Sequence, residues 1–302
     1  MKQIKNNFIF FGAVHQDFVF ELKNELIKYR TNPIKHSESY GGVAHNVAKV
    51  VAVKEKISLL SINSDKETIN YLNKNRIEFI NLNKEIQKRY YAILLNKYKK
   101  FELGIANTDA YELFEVKSFN FNLKKKQIIL DLNFSEKLLK NIINKYSKDN
   151  RITICGTSPF KVYKIKNLLK KIHCLILNKE ELFKLTNIRN IYKSIKYIIK
   201  KNSNINLVVS DGSNKTYGYE LSKFISIKPP KIKALNENGA GDAMSGNYIY
   251  YRYKNFTLEK SLSLGVATGS MHAKSQKKIK LKNVDIKKMS NKIKIKKEKL
   301  NV

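Results

Sequence analysis

From Ile57 onward, short apolar runs of β type alternate with longer segments of helical period, and this alternation constrains the fold more than any other feature of the chain. Ile57 to Ile62 is followed by Lys66 to Lys74, Gln127 to Leu132 by Ser135 to Lys148, and Arg151 to Cys155 by Pro159 to Lys171. Cys174 to Leu177, Lys179 to Leu185, Ile191 to Lys201 and Leu207 to Val209 continue the series. A strand that returns parallel to its neighbour needs a helix-sized crossover, so repeated βα units predict a mostly parallel, doubly wound α/β sheet covered by helices on both faces. Ligands bind such sheets at the carboxyl ends of the strands. The length, 302 residues, suits one domain over 1–302 with a substantial core. Two segments, Phe8 to Leu22 and Arg89 to Ile105, are strand-rich and aromatic with no helix between their parts, and the second reads as a hairpin around Asn96 to Lys100.

The chemistry concentrates in Asn236-Glu237-Asn238-Gly239-Ala240-Gly241-Asp242. Strand-like runs (Phe224 to Ile227, then Ile232 to Leu235) precede it, and a helical pattern (Ala243 to Tyr253) follows. Glycines at a strand-to-helix junction let successive N–H groups converge on an anion at the helix N-terminus, and Asp242 stands beside that anion as a candidate base. Its alternative role is a helix N-cap. Gly41-Gly42-Val43-Ala44-His45-Asn46 opens a helical pattern with Val43, Val47, Val50 and Val51 on one face. Asn178-Lys179-Glu180-Glu181 follows a strand, as does Ser210-Asp211-Gly212.

Taken in order, these four elements resemble the ribokinase-like (pfkB-type) carbohydrate and nucleoside kinases. Gly239-Ala240-Gly241-Asp242 matches the end of the family signature D-T-x-G-A-G-D, with Asn236 and Glu237 in place of its first two residues. The glycine element matches G-G-x-x-x-N, Asn178 to Glu181 matches N-x-x-E, and Ser210 to Gly212 lies where the family carries T-x-G-x-x-G. Within the family, Gly41 to Ala48 and Ile129 to Glu136 are most similar to the pseudouridine kinases, in which Asn236 also replaces the signature's first Asp.

The resemblance implies a ribokinase-like sheet with a small β lid over the sugar, contributed by segments of about 8–40 and 88–107. It implies an ATP-dependent kinase acting on a nucleoside ribose, pseudouridine first, with Asp242 as base and Gly239, Ala240 and Gly241 around the anion hole. Ribokinase, fructokinase and other nucleoside kinases are the alternatives of the same fold. Asp17, Gly41, Gly42, Asn46 and Asn133 are the implied substrate residues. Asn46 has the alternative of a plain helix-face polar residue, and Asp131 or Asn133 that of capping the helix from Ser135. His15, two residues before Asp17, would bond the sugar or be satisfied by backbone at a strand end. Asn178, Ser210, Gly212, Lys215, Gly239 and Gly241 are the implied ATP residues. Lys215 stands where the family loop ends in glycine. Glu181 would act on Mg²⁺ through water, its alternative being a solvated helix charge. The changes at Asn236 and Glu237 remove the expectation of a potassium site, and a homodimer would form through the lid.

Composition excludes other classes. No G-x-x-x-x-G-K-[ST] sequence is present, so the P-loop kinases are set aside. The formal charge of +34 raises the question of nucleic acid, yet only six of the 59 basic residues are Arg, the residue that reads phosphates and bases through a planar fork. Dispersed lysines beside abundant Asn and Ile predict a solvated basic surface with no specific nucleic-acid partner; the competing class is a degenerate kinase kept as an RNA-binding protein. Cys155 and Cys174 sit in apolar runs as buried thiols. The polar start, Met1 to Asn7, and the absence of a long apolar window predict no signal peptide, no membrane span and a cytoplasmic protein. Over 277–302, lysines alternate with Ile279, Leu281, Val284, Ile286, Met289 and Ile293, which predicts a terminal strand and helix docked on the body rather than a free basic arm.

Overall fold

The computed structural model describes residues 2–62, 65–83, 89–116, 119, 121–235, 237–275 and 283–300. A ten-stranded sheet runs in the order Ile295–Lys297, Lys223–Ile227, Thr216–Glu220, Asn206–Ser210, Cys174–Asn178, Arg151–Cys155, Gln127–Leu130, Phe8–Phe11, Ile57–Ser61, Ile77–Asn81. From Asn206–Ser210 to Ile77–Asn81 every pairing is parallel. The remaining three strands add on antiparallel. Phe8–Phe11 shows why the sheet lies between two helical layers: all four residues are buried, Ile9 and Phe11 in one apolar cluster and Phe8 and Phe10 in the other. Because side chains alternate across a strand, that division places core on both faces.

Chain order reverses between Phe8–Phe11 and Gln127–Leu130, which are sheet neighbours far apart in sequence. Such a switch point leaves a crevice at the strands' carboxyl ends. The lid is a separate four-stranded sheet, Ile34–Gly41, His15–Leu22, Tyr90–Leu95, Phe101–Ala106, with the hairpin turn at Asn96 to Lys100 as expected. Among the described residues no helix is long and apolar enough to cross a membrane.

Four readings of the sequence need correction. Phe8–Phe11 belongs to the main sheet, so the first lid segment begins at His15, not at 8. Ile232 to Leu235 is not a strand: after Lys223–Ile227 the chain crosses to the glycine element as irregular backbone, with Leu235 N–H bonded to Ala273 O. Pro159 to Lys171 is helical only from Val162, as a 3₁₀ helix, Val162–Lys171. The C-terminal order is helix then strand, Asn283–Asn291 and Ile295–Lys297, docked through buried Ile286; Ile279 and Leu281 lie outside the described residues.

Candidate active site

Two helices pack side by side with both N-termini at the crevice. The first, Val43–Ala52, follows Gly42. Gly42 has φ +100, and a Cβ there would stand 2.2 Å from Ala13 O, so only glycine lets the helix start this close to the loop after Phe8–Phe11. The second, Ala240–Tyr253, is capped by Gly239 at φ +79. Across their N-termini Asn46 Nδ2 donates to Asp242 Oδ2 at 2.9 Å. The resemblance gave Asn46 to the substrate and made Asp242 the base; the fold brings them into one contact.

Asp242 occupies the first turn of its helix, half-buried, beside N–H groups that have no carbonyl one turn back to bond. Burial pushes its carboxyl up to about 6; the Asn46 bond opposes the shift and the charge of Asp131 adds to it. Of the expected anion-hole donors, Ala240 N–H is already spent on Glu237 O at 3.1 Å, which leaves the turn at Gly241 and Asp242 facing the crevice. Asn236 lies outside the described residues. His272, which the sequence reading missed, places Nε2 2.9 Å from Asn238 O. A donor on that carbonyl fixes the Asn238–Gly239 peptide plane at the mouth of the cap.

A cavity of about 180 Å³ extends from Asp242 and Gly241 to Glu181, Asn178, Ser210 and Thr157. Asn178 and Glu181 form a reciprocal cap, Glu181 N–H to Asn178 Oδ1 at 2.9 Å and Asn178 N–H to Glu181 Oε2 at 2.8 Å. Glu181 is 4% exposed, so it is not the solvated charge that spacing alone allowed. Burial raises its carboxyl to about 7, against the Asn178 bond and with the help of Asp242's charge. Two carboxyls held above their ordinary range, neither paired with a basic side chain among the described residues, fit a divalent ion, and the described residues offer no cluster of three metal-ligating side chains. The donor set therefore suits Mg²⁺ bound chiefly by phosphates and water.

Ser210 pairs in register with Asn178 at the strand ends, and Gly212, φ +53, opens the turn that follows. Lys215, on the far side of that turn, has its ammonium 3.5 Å from Glu298 Oε1. Lys179, unassigned by sequence, lies nearer the turn through Asp211 at 2.8 Å.

On the acceptor side Asp17 begins the lid strand His15–Leu22, with Oδ1 2.9 Å from His15 Nδ1. Both atoms are buried and neither makes a hydrogen bond, so His15 Nδ1 is not satisfied by backbone. A Cβ at Gly41 would meet Asp17 Oδ2 at 2.2 Å, so that glycine makes room for the carboxylate. Asp131, fully buried, accepts from Ala13 N, Ala44 N, Asn133 N and Asn133 Nδ2 at 2.8 to 3.1 Å. It ties the two loops of the switch point together. Asn133, 1% exposed, spends its amide on Asp131 and on Lys161 Nζ, 3.0 Å from Oδ1. Neither residue caps the following helix; Ser135 does. Lys161, which precedes the helix Val162–Lys171, also stands 3.5 Å from Glu112 Oε1, and burial and then Arg89 hold its ammonium below its ordinary range. Arg89 lies 5.1 Å from the Tyr111 ring, and its Nε and Nη1 are buried without a hydrogen-bond partner.

With this geometry in place, comparison with known proteins decides the family. The model of the pfkB family carbohydrate kinases matches residues 9–282. The chain belongs to that family. As a pfkB kinase it phosphorylates a sugar or nucleoside from ATP. Over 86 residues, 28% of each chain, it is 31% identical to ATP-dependent 6-phosphofructokinase isozyme 2 of Escherichia coli. A carbohydrate kinase from Agrobacterium tumefaciens superposes with a TM-score of 0.80 at 19% identity, over 98% of this chain and 100% of that one. A nucleoside kinase from Methanocaldococcus jannaschii gives 0.72 at 19% identity, over 89% and 92%. At these identities the two structures speak to the fold, which is the ribokinase-like α/β fold that the motif resemblance implied.

Proposed function

We propose that this pfkB kinase transfers the γ-phosphoryl group of ATP to a ribose hydroxyl of a nucleoside, converting pseudouridine to pseudouridine 5′-phosphate. The observation that carries the catalytic assignment is the 2.9 Å contact between Asn46 and Asp242 at the head of a glycine-capped helix. The acceptor oxygen attacks the γ-phosphorus as the bond to the β–γ bridging oxygen breaks, the hydroxyl proton passes to Asp242, and ADP leaves. A carboxyl raised to about 6 is ionised at neutral pH yet basic enough to take that proton. Asp17 offers two acceptor oxygens to a vicinal diol, with Gly41, Gly42 and Asn46 around the sugar. Gly239, Gly241, Asn178, Ser210 and Gly212 line the phosphate side. Mg²⁺ arriving with ATP would neutralise phosphate charge, with Glu181 holding it through water. The pseudouridine choice rests on the segments Gly41 to Ala48 and Ile129 to Glu136. A homodimer through the lid belongs to the same reading: Leu103 and Ile105, on its edge strand, are 50% and 54% exposed.

A second reading has its own observation. Arg89 Nε and Nη1 are buried without hydrogen-bond partners, near enough to Lys161 to depress its ionisation; Lys161 is already paired with Glu112 at 3.5 Å, and an acceptor that carries a phosphate would satisfy Arg89. The relative named 6-phosphofructokinase points the same way. ADP release measured over pseudouridine, uridine, adenosine, ribose, fructose and fructose 6-phosphate separates the two. Highest kcat/KM on pseudouridine with strong rejection of uridine, which lacks one ring N–H, supports the first. Highest kcat/KM on the sugar phosphate, with Arg89→Met raising its KM at least about tenfold, supports the second. No turnover on any, together with tight RNA binding at physiological salt, would replace both with the degenerate-kinase reading.

A further inference from the structure

The structure assigns a second anion site, for a phosphate-bearing ligand, to the opposite end of the two helices that carry Asn46 and Asp242. A cavity of about 270 Å³ lies there, lined by Lys54, Tyr250, Tyr251, Lys254, Phe256 and Lys287, and it shares no lining residue with the cavity at Asp242. Lys54 follows the helix Val43–Ala52, and the tyrosines stand in the last turn of Ala240–Tyr253.

The charge there is not balanced. Lys254 is taken by Glu55, 2.6 Å away. No carboxylate among the described residues pairs with Lys54 or Lys287. Lys54 donates to Asn247 Oδ1, and its ammonium stands 4.6 Å from the ring centroids of both Tyr250 and Tyr251. Burial, then repulsion from Lys287, pulls Lys54 down to about 8. Two lysines lining one cavity, neither paired with a carboxylate among the described residues, leave it open to a counter-charge from outside the chain. A phosphate is the fitting anion, since its dianion matches two lysines and its three terminal oxygens accept from both. The cavity exceeds what a bare halide would fill, and Tyr250, Tyr251 and Phe256 give the body of an ester an apolar wall.

General basicity is the competing explanation, and the experiment separates it. Inorganic pyrophosphate is titrated by calorimetry, at physiological ionic strength, into the full chain already saturated with ADP. One further binding event with a Kd below about 1 mM is expected. Lys54→Met keeps the apolar stem on the tyrosines and removes the charge, and Lys287→Met does the same at an exposed position where folding is not at stake. Each should weaken that event at least about tenfold while ADP affinity stays unchanged. Lys166→Met with Lys170→Met, exposed on the 3₁₀ helix, should leave it intact. Absence of the event, its survival in Lys287→Met, or equal loss in the control pair would overturn the site.

Discussion

Replacing Asn46 by Ala should move the acid limb of the pH–rate profile as well as lower its height. Asp242 must be ionised to accept the proton, and burial sets its carboxyl at about 6. Below that value each pH unit removes about tenfold from kcat/KM, because the ionised fraction falls tenfold. The Asn46 amide favours the charged form, so its loss leaves burial and the Asp131 charge unopposed. A hydrogen bond to a charged group contributes about 1.5–3 kcal/mol. For a half-buried carboxylate the lower end applies, and at about 1.4 kcal/mol per unit the limb should shift upward by about one pH unit. Single-turnover phosphoryl transfer from pH 4.5 to 9 measures this directly. Lost sugar contacts would appear as a factor constant with pH, so limb and height separate. Glu181, which titrates at about 7, is checked by its Gln variant, in which the limb near 6 should persist. Asp242→Asn should cut turnover by roughly 10² to 10⁴ and abolish the limb. An unmoved limb in Asn46→Ala, or near-normal turnover in Asp242→Asn, would refute the assignment.

Glu181 makes a stability prediction of its own. Its folded value of about 7 exceeds the ordinary 4.5, so the folded state holds the proton more tightly, and the associated stability is present below about 4.5 and lost as pH rises through 7. Glu181→Gln should therefore raise unfolding free energy by up to about 3 kcal/mol at pH 8 and by almost nothing near pH 4, as read from urea melts at both. Asp131→Ala strands three backbone N–H groups and one amide, and should cost about 3–5 kcal/mol in the same melts at pH 7. His272→Leu should lower kcat about tenfold with the acceptor KM unchanged, and His272→Gln, which keeps a donor for Asn238 O, should recover most of the loss. Leu103→Glu with Ile105→Lys should halve the mass seen by light scattering if the lid forms the dimer.

What could be read in advance depended on whether the constraint was local. Lys66–Lys74, Arg151–Cys155 and Ile191–Lys201 have the bounds that periodicity and caps announce. The hairpin Thr216–Glu220 to Lys223–Ile227 went unseen because its turn, Leu221-Ser222, takes φ +45 and +68 without the Asn-Gly or Asp-Gly that usually marks such a turn. Phe8–Phe11 looked like lid because the chain passes from a buried central strand into the lid with no helix between, and four apolar residues do not say which sheet they join.

The site divides along the same line. Gly42, Gly239, Asp242 and the Asn178–Glu181 cap carry their purpose within a few residues, in a positive φ, a first-turn carboxylate or a reciprocal cap. Asp131 and His272 act on main-chain groups, Ala13 N, Ala44 N and Asn238 O, contributed by segments 34 or more residues away. A main-chain donor or acceptor is the same whatever residue carries it, so nothing in the sequence marks these partners. Arg89 is hidden for another reason, since it ends the basic run Lys88-Arg89 in a chain where lysine is everywhere, and only burial without a hydrogen-bond partner distinguishes it. The meaning of such residues lies in what surrounds them. Motifs therefore brought this chain to its family and to a candidate base, while Arg89, on which the proposed sugar-phosphate reading rests, stands in no motif.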